Sequence, residues 1–249
     1  MGAEWSQDEV SQPTEEHRKE TPPCTPQINN NESGAIQETA TELKLPHNHD
    51  EILKDADAPV DKSSTEKLYD QLYAGVFLNQ KKKASDSKYW IDRTSKKNCF
   101  MLYARNLSIT WAEDRSCWHW PFIKESSDVT LVAAELLNVC WLEIHGWFNT
   151  VNLTPRTLYQ VVFVLMLKDP AYGWGIPVNF RLILADGSRQ EHKENMMEKP
   201  RGKWIEILAG EFETLPENDG NMECSMYEYE GGGWKRGLVI KGILIRPKD

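Results

Sequence analysis

The sequence predicts an all-β fold, an antiparallel jelly-roll-like β-sandwich, preceded by a disordered acidic arm and one short amphipathic helix. Two observations predict it. From about residue 97 onward, short runs rich in Val, Ile, Leu, Tyr and Phe alternate with polar turns, the pattern of stacked antiparallel strands. Apolar residues at helical spacing stand out in one stretch only, residues 63–80. The length, 249 residues, suits one all-β domain with an extension, and no repeat of fixed period is visible.

Residues 1–62 are rich in Glu, Gln, Thr, Asn and Pro, and Trp5 is their one aromatic residue. Such a segment buries too little apolar surface to offset its ordering entropy, which predicts disorder. In residues 63–80, Ser63 and Glu66 have the spacing of a capping box. Leu68, Leu72 and Val76 then recur at i+4 beside Tyr69, Tyr73 and Phe77, and Lys81–Lys83 end the pattern.

Residues 97–249 form the predicted sandwich. CFMLYA (99–104) and LSITW (107–111) read as short strands. In VCWLEI (139–144), Cys140, Leu142 and Ile144 point one way, Trp141 and Glu143 the other. YQVVFVLML (159–167) is nearly all apolar, as in a strand buried on both faces. NFRLILAD (179–186), KWIEILAGEF (203–212), MECSMYEYE (222–230) and LVIKGILIRP (238–247) follow, separated by Asp186-Gly187, Pro216–Gly220 and Gly231–Gly233. Residues 187–202 read as a long polar surface loop.

Charge and composition exclude several classes. The net charge is −9, and residues 1–83 carry 16 acidic against 9 basic side chains. Such a chain builds no broad positive field for nonspecific nucleic-acid binding. No apolar run reaches the length of a membrane-spanning helix, and the N-terminal residues do not have the pattern of a secretory signal. Gly2 invites a myristoylation reading, but Gln7 sits in the next part of that motif and no Lys/Arg cluster supports a second anchor. The five cysteines are widely spaced with no CxxC pair, which predicts reduced thiols and a cytoplasmic setting.

Trp111, Trp118 and Trp120 lie within ten residues of each other. They are either core residues or exposed indole planes on which the C–H face of a sugar ring stacks, with carboxylates and amides taking its hydroxyls. Glu223, Glu228 and Glu230 are the acidic candidates. On one strand Glu223 and Glu228 point to opposite faces roughly 16 Å apart, too far for the acid–nucleophile pair of a glycosidase. His47 and His49 have no further ligand nearby, so no metal is expected. His119 is expected to be exposed. No nucleophile elbow, P-loop or dinucleotide fingerprint is present. Lys81–Lys83 and Lys96-Lys97 read as solvated linker, and the sequons at Asn31, Asn106 and Asn152 as unused.

Taken together, residues 97–249 resemble the plant phloem protein 2 lectins, the Nictaba-type lectin domain. The blocks that carry the resemblance are FMLYARNLSITW (100–111), Trp118-His119-Trp120, AAELLNVCWLEIHG (133–146), TLYQVVFVLML (157–167), GKWIEILAGEF (202–212) and GGWKRGLVIKGILIRP (232–247). The extension without an F-box is similar to the family's A class. The resemblance implies a non-catalytic lectin for N-acetylglucosamine oligomers, chitin fragments and N-glycan cores, with no cofactor. It places carbohydrate-binding tryptophans at Trp111 and Trp118, one binding carboxylate at Glu228, and the second at Asn221, where this sequence has an amide. The amide loses a charge-assisted bond, which predicts weaker or altered glycan selectivity. The family's lysine run in the long loop is missing from HKENMMEKPRG, which weakens the expectation of nuclear import.

The resemblance further implies glycoprotein partners, a homodimer, a phloem filament protein as partner, RNA association and residence in phloem companion cells and sieve elements with a defence or transport role; no membrane partner is expected. The alternative reading is a protein-interaction module whose tryptophans are core and whose acidic arm is the contact surface.

Overall fold

The computed structural model describes residues 44–78, 87–126 and 129–248. The expected arm before residue 44 and the Lys81–Lys83 cluster lie outside the described residues. In chain order, helices α1 (His49–Ile52) and α2 (Thr65–Ala74) precede β1 (Val76–Leu78), β2 (Ser87–Ile91), β3 (Asn98–Tyr103), β4 (Ser108–Ile109) and β5 (Trp118–His119). Next come β6 (Phe122–Lys124), β7 (Thr130–Val132), β8 (Ala134–Leu136), β9 (Leu142–Asn149) and β10 (Leu158–Tyr172). The last are β11 (Val178–Ile183), β12 (Arg189–Glu194), β13 (Trp204–Glu213), β14 (Asn221–Glu228) and β15 (Arg236–Pro247).

Among the described residues the strands form an antiparallel sandwich. One sheet runs β1-β2-β3-β15-β10-β13, with β8 joining β15 and β5 joining β8; the other runs β12-β11-β14-β9-β4. A separate hairpin pairs β6 with β7. Aromatic contacts bridge the two layers. Phe163 on β10 meets Phe180 on β11 edge-on at 5.5 Å, and Phe100 on β3 meets Phe148 on β9 at 4.7 Å. Such pairs add to the burial of apolar area that holds the sheets together. The apolar run in β10 is buried on both faces from Val161 to Leu165, because the β6–β7 side packs over Val164 on the outside.

Several boundaries depart from the expectations. Residues 44–62, expected within the disordered arm, are placed: Ile52 and Leu53 are buried in the main core. Asn98 Nδ2 donates to the carbonyls of His47 and Asn152, each at 2.8 Å. Two apolar side chains and a few backbone bonds suffice where a finished core already exists to receive them, which average composition does not reveal. The helix is shorter than expected. Ser64, not Ser63, caps it, its Oγ accepting from Lys67 N at 3.3 Å, and Gly75 at φ +89° ends it. Val76 and Phe77 therefore belong to β1. The sheet also begins before residue 97, with Tyr89 and Ile91 of β2 in the core.

The segment 187–202 is not a plain loop. Arg189–Glu194 pairs with β11 over six residues, after a tight turn in which Ser188 N donates to Asp186 Oδ1. An exposed edge strand needs no apolar alternation, so its sequence looks like a loop.

Candidate functional site

Pleating of β9 buries Leu142, Ile144 and Phe148 and turns Glu143, His145, Trp147 and Asn149 to the outer face of the five-stranded sheet. Register with β14 sets Tyr227 opposite Glu143, Ser225 opposite His145, Glu223 opposite Trp147 and Asn221 opposite Asn149. Arg181 of β11 lies beside Ser225. The sheet thus gathers aromatic rings, carboxylates and amides into one row along β9.

At one end Trp141 and Tyr229 stack at 4.4 Å with 16° between their planes. Trp141 Nε1 donates to Glu143 Oε2 at 2.9 Å, and Thr110 Oγ1 donates to the same oxygen at 3.3 Å. In the middle, His145 stands between two carboxylates, with Nδ1 2.8 Å from Glu223 Oε1 and Nε2 3.1 Å from Glu143 Oε1. Its ring lies parallel to Trp147 at 5.6 Å. The Arg181 guanidinium sits over the Tyr227 ring at 5.0 Å and 3.6 Å from Glu223. Trp141 and Trp147 remain 42% and 49% exposed.

The Trp141 indole bond, with help from His145 and Thr110, holds the Glu143 carboxyl below its ordinary range. Glu143 is therefore a charged acceptor at neutral pH. Burial and the bonded Glu191 push the Tyr227 hydroxyl up to about 12, so it stays a neutral donor. Among the described residues, Ser225 Oγ and Arg181 Nε are buried without a partner beneath this face.

The four residues singled out from the sequence fall in different places. Trp111 is 49% exposed at φ +60°. It follows Thr110, whose N–H donates to Glu143 O at 3.0 Å, which sets its backbone beside the Trp141 end. Trp118 is only 2% exposed and donates its indole N–H to Thr110 O at 3.0 Å. The expectation of an exposed stacking plane there is corrected: its ring fills the core, and its one polar atom braces the backbone just before Trp111.

Glu228 is likewise not an open acceptor. It is 3% exposed and ion-paired with Lys235, whose side chain is also buried. Gly231 N donates to Glu228 Oε1 at 2.8 Å. Lys235 Nζ donates to the carbonyls of Cys140 and Gly233, each at 3.0 Å. This network clamps the segment between Tyr229 and Trp234. Gly173 lets that segment pack closely, since a Cβ there would lie 1.9 Å from Trp234 O.

Asn221 is exposed on the outer face. Seven positions along β14 separate it from Glu228, about 24 Å, and the odd count turns the two side chains to opposite faces. Trp111 and Asn221 thus mark the two ends of the β9 row, while Trp118 and Glu228 support it from inside. Trp141, Glu143, His145, Trp147 and Tyr229 were not singled out as a site, and Glu223 only as an acidic candidate. The signal for the first two was present, because alternation already set Trp141 and Glu143 on one side.

An antiparallel sandwich with a row of exposed rings and carboxylates on one sheet face offers the surface chemistry of a sugar-binding class of domain. Residues 97–247 match the family described as Phloem protein 2, and the chain belongs to that family. Protein PHLOEM PROTEIN 2-LIKE A1 of Arabidopsis thaliana is 46% identical over 93% of this chain and 89% of its own length. A protein of Luffa acutangula named Lectin is 44% identical over 84% of this chain and 97% of its own. The solved structure of TmCBM61 in complex with β-1,4-galactotriose covers 57% of this chain and 87% of that one, at 15% identity and TM-score 0.31, below the level of a shared fold.

Proposed function

We propose that the chain is a lectin for N-acetylglucosamine oligomers and N-glycan cores, and that it binds them along the outer face of the five-stranded sheet. The observation that carries this reading is the row itself: exposed rings at both ends, with the carboxylates of Glu143 and Glu223 between them. An indole or phenol plane covers the C–H face of a pyranose, and charged acceptors take its hydroxyls. The name of the Luffa relative supports a sugar ligand.

In this reading Trp111 and Asn221 touch the glycan at the two ends. Trp118 and Glu228 act by holding Trp111 and the Tyr229–Trp234 segment in place. Shallow sugar sites bind weakly one at a time, so valency, as in a homodimer, would raise the working affinity. The relatives' names support a phloem setting, which we place in the cytoplasm, where the Cys117, Cys140 and Cys224 thiols stay reduced.

Calorimetric titration of the full chain with N-acetylglucosamine trimer tests the reading. Saturable binding is expected, reduced at least tenfold in Trp141→Ala with the melting temperature little changed, because the ring is half exposed. No heat up to millimolar trimer, or full binding by Trp141→Ala, would overturn it.

A further inference from the structure

Beyond the Trp147 end of the row, a cleft of about 320 Å³ opens between the edges of the two sheets. Its floor is apolar, made by Leu78, Phe100 and Phe148, and its rim is polar, made by Asp55, Asn106, Asn149, Asn221 and Trp147. The side chains of Asp55, Asn106 and Asn221 make no hydrogen bond or ion pair among the described residues. Unpaired polar groups converging over an apolar floor are the arrangement of a ligand pocket, and the volume lies near the lower end of the usual range of roughly 300–1,000 Å³. That admits one sugar ring rather than an oligomer.

One wall comes from outside the residues that match the family. Ile52, Asp55, Leu78 and Ser87 line the cleft, yet all precede residue 97, where the family match begins. The segment that the sequence alone assigns partly to a disordered arm therefore supplies the wall carrying the single carboxylate of the cleft.

We propose that this cleft is a subsite for one terminal N-acetylhexosamine residue, and that the segment before the family domain sets its selectivity. The proposal rests on the lectin reading above and adds chain-end recognition to it. The Asp55 carboxylate accepts from vicinal hydroxyls, and the three amides both donate to and accept from hydroxyl and acetamido groups. The acetamido methyl rests on the apolar floor, and Trp147 belongs to the cleft and the row alike, which lets the remaining sugars continue along β9. A hexose without the acetamido group leaves that floor uncovered and binds less well.

The test uses the full chain labelled with nitrogen-15, so that the indole and side-chain amide signals report separately on each end. N-acetylglucosamine, glucose and N-acetylglucosamine trimer are titrated into the parent and into Asp55→Ala. Asp55 is exposed and unpaired, so the variant should melt as the parent does. The expected result is that N-acetylglucosamine shifts the Trp147 indole and the Asn221 amide while equal glucose does not. Asp55→Ala should bind trimer about tenfold more weakly, from loss of a charge-assisted bond, with the Trp141 indole still responding to trimer. If trimer moves Trp141 but leaves Trp147 and Asn221 still, and Asp55→Ala binds as the parent, the cleft is overturned and the lectin reading stands. If no sugar moves any indole, the cleft falls together with the lectin reading.

Discussion

Replacing Glu228 distinguishes a carboxylate that touches sugar from one that braces the site. Glu228 and Lys235 are both almost fully buried and ion-paired, and each makes further bonds to the backbone of the segment they hold. Glu228→Gln keeps the shape and an acceptor for Gly231 N, but leaves the Lys235 ammonium in the core with carbonyl partners alone. Breaking a buried pair from one side costs about 3–5 kcal/mol, most of it the penalty of the stranded charge. For a domain of this size each kcal/mol lowers Tm by roughly 2–4 °C, so a fall of about 6–20 °C is expected.

Lys235→Met strands the carboxylate instead and should cost a similar amount. The double variant Glu228→Gln/Lys235→Met removes both charges and should recover more than half of the loss, because the desolvation penalty disappears with the attraction. The assay is urea unfolding of all four proteins, paired with trimer titration below their transitions. Affinity should follow stability: low where the Tyr229–Trp234 segment is loosened, restored in the double variant. If Glu228→Gln melts with the parent and yet loses trimer affinity, and the double variant does not regain it, Glu228 contacts the sugar and the bracing argument is wrong.

Two further outcomes follow from burial and charge. Trp118→Ala should lose about 3–5 kcal/mol in urea unfolding, whereas Trp111→Ala should change stability little and lower trimer affinity; equal stability of the two variants would refute the assignment of core and surface. Because the Glu143 carboxyl is held below its ordinary value, the stability it contributes is present above about pH 4.5 and is lost as pH falls through the lower folded value. The stability difference between the parent and Glu143→Gln should therefore narrow as pH falls below about 4.5, and a difference that stays constant in more acid solution would contradict this.

The strands of the sandwich were legible because apolar alternation and turn residues are local signals: β10, β11, β13, β14 and β15 fall where the runs at 159–167, 179–186, 203–212, 222–230 and 238–247 put them. The elements that escaped are those whose structure comes from a neighbour. Arg189–Glu194 becomes a strand by pairing with β11 on an open edge, and its own residues carry no sign of it. Residues 44–62 are anchored by Ile52 and Leu53 in the core and by a bond from Asn98, 51 positions from its partner His47.

The site was legible in its chemistry and not in its placement. A tryptophan reads the same in sequence whether it faces sugar or fills a core. Trp111 and Trp118 separate only because the chain turns through a left-handed residue at Trp111 and returns Trp118 as a paired strand beneath the surface. Parity is a stronger local guide. It already set Glu223 and Glu228 on opposite sides of one strand, and the same count separates Asn221 from Glu228. Two residues that an odd number of strand positions divides cannot share one shallow face. Of the two, the one left outward is Asn221, opposite Asn149 and in the cleft with Trp147. In the proposed cleft Asp55 is the one carboxylate among the lining residues, so the negative charge that the family resemblance implies at position 221 would stand on the opposite wall rather than be missing. On that basis altered selectivity is the expected consequence of Asn221, and Asn221→Glu, which would set a second carboxylate in the same cleft, should not by itself raise affinity for the trimer.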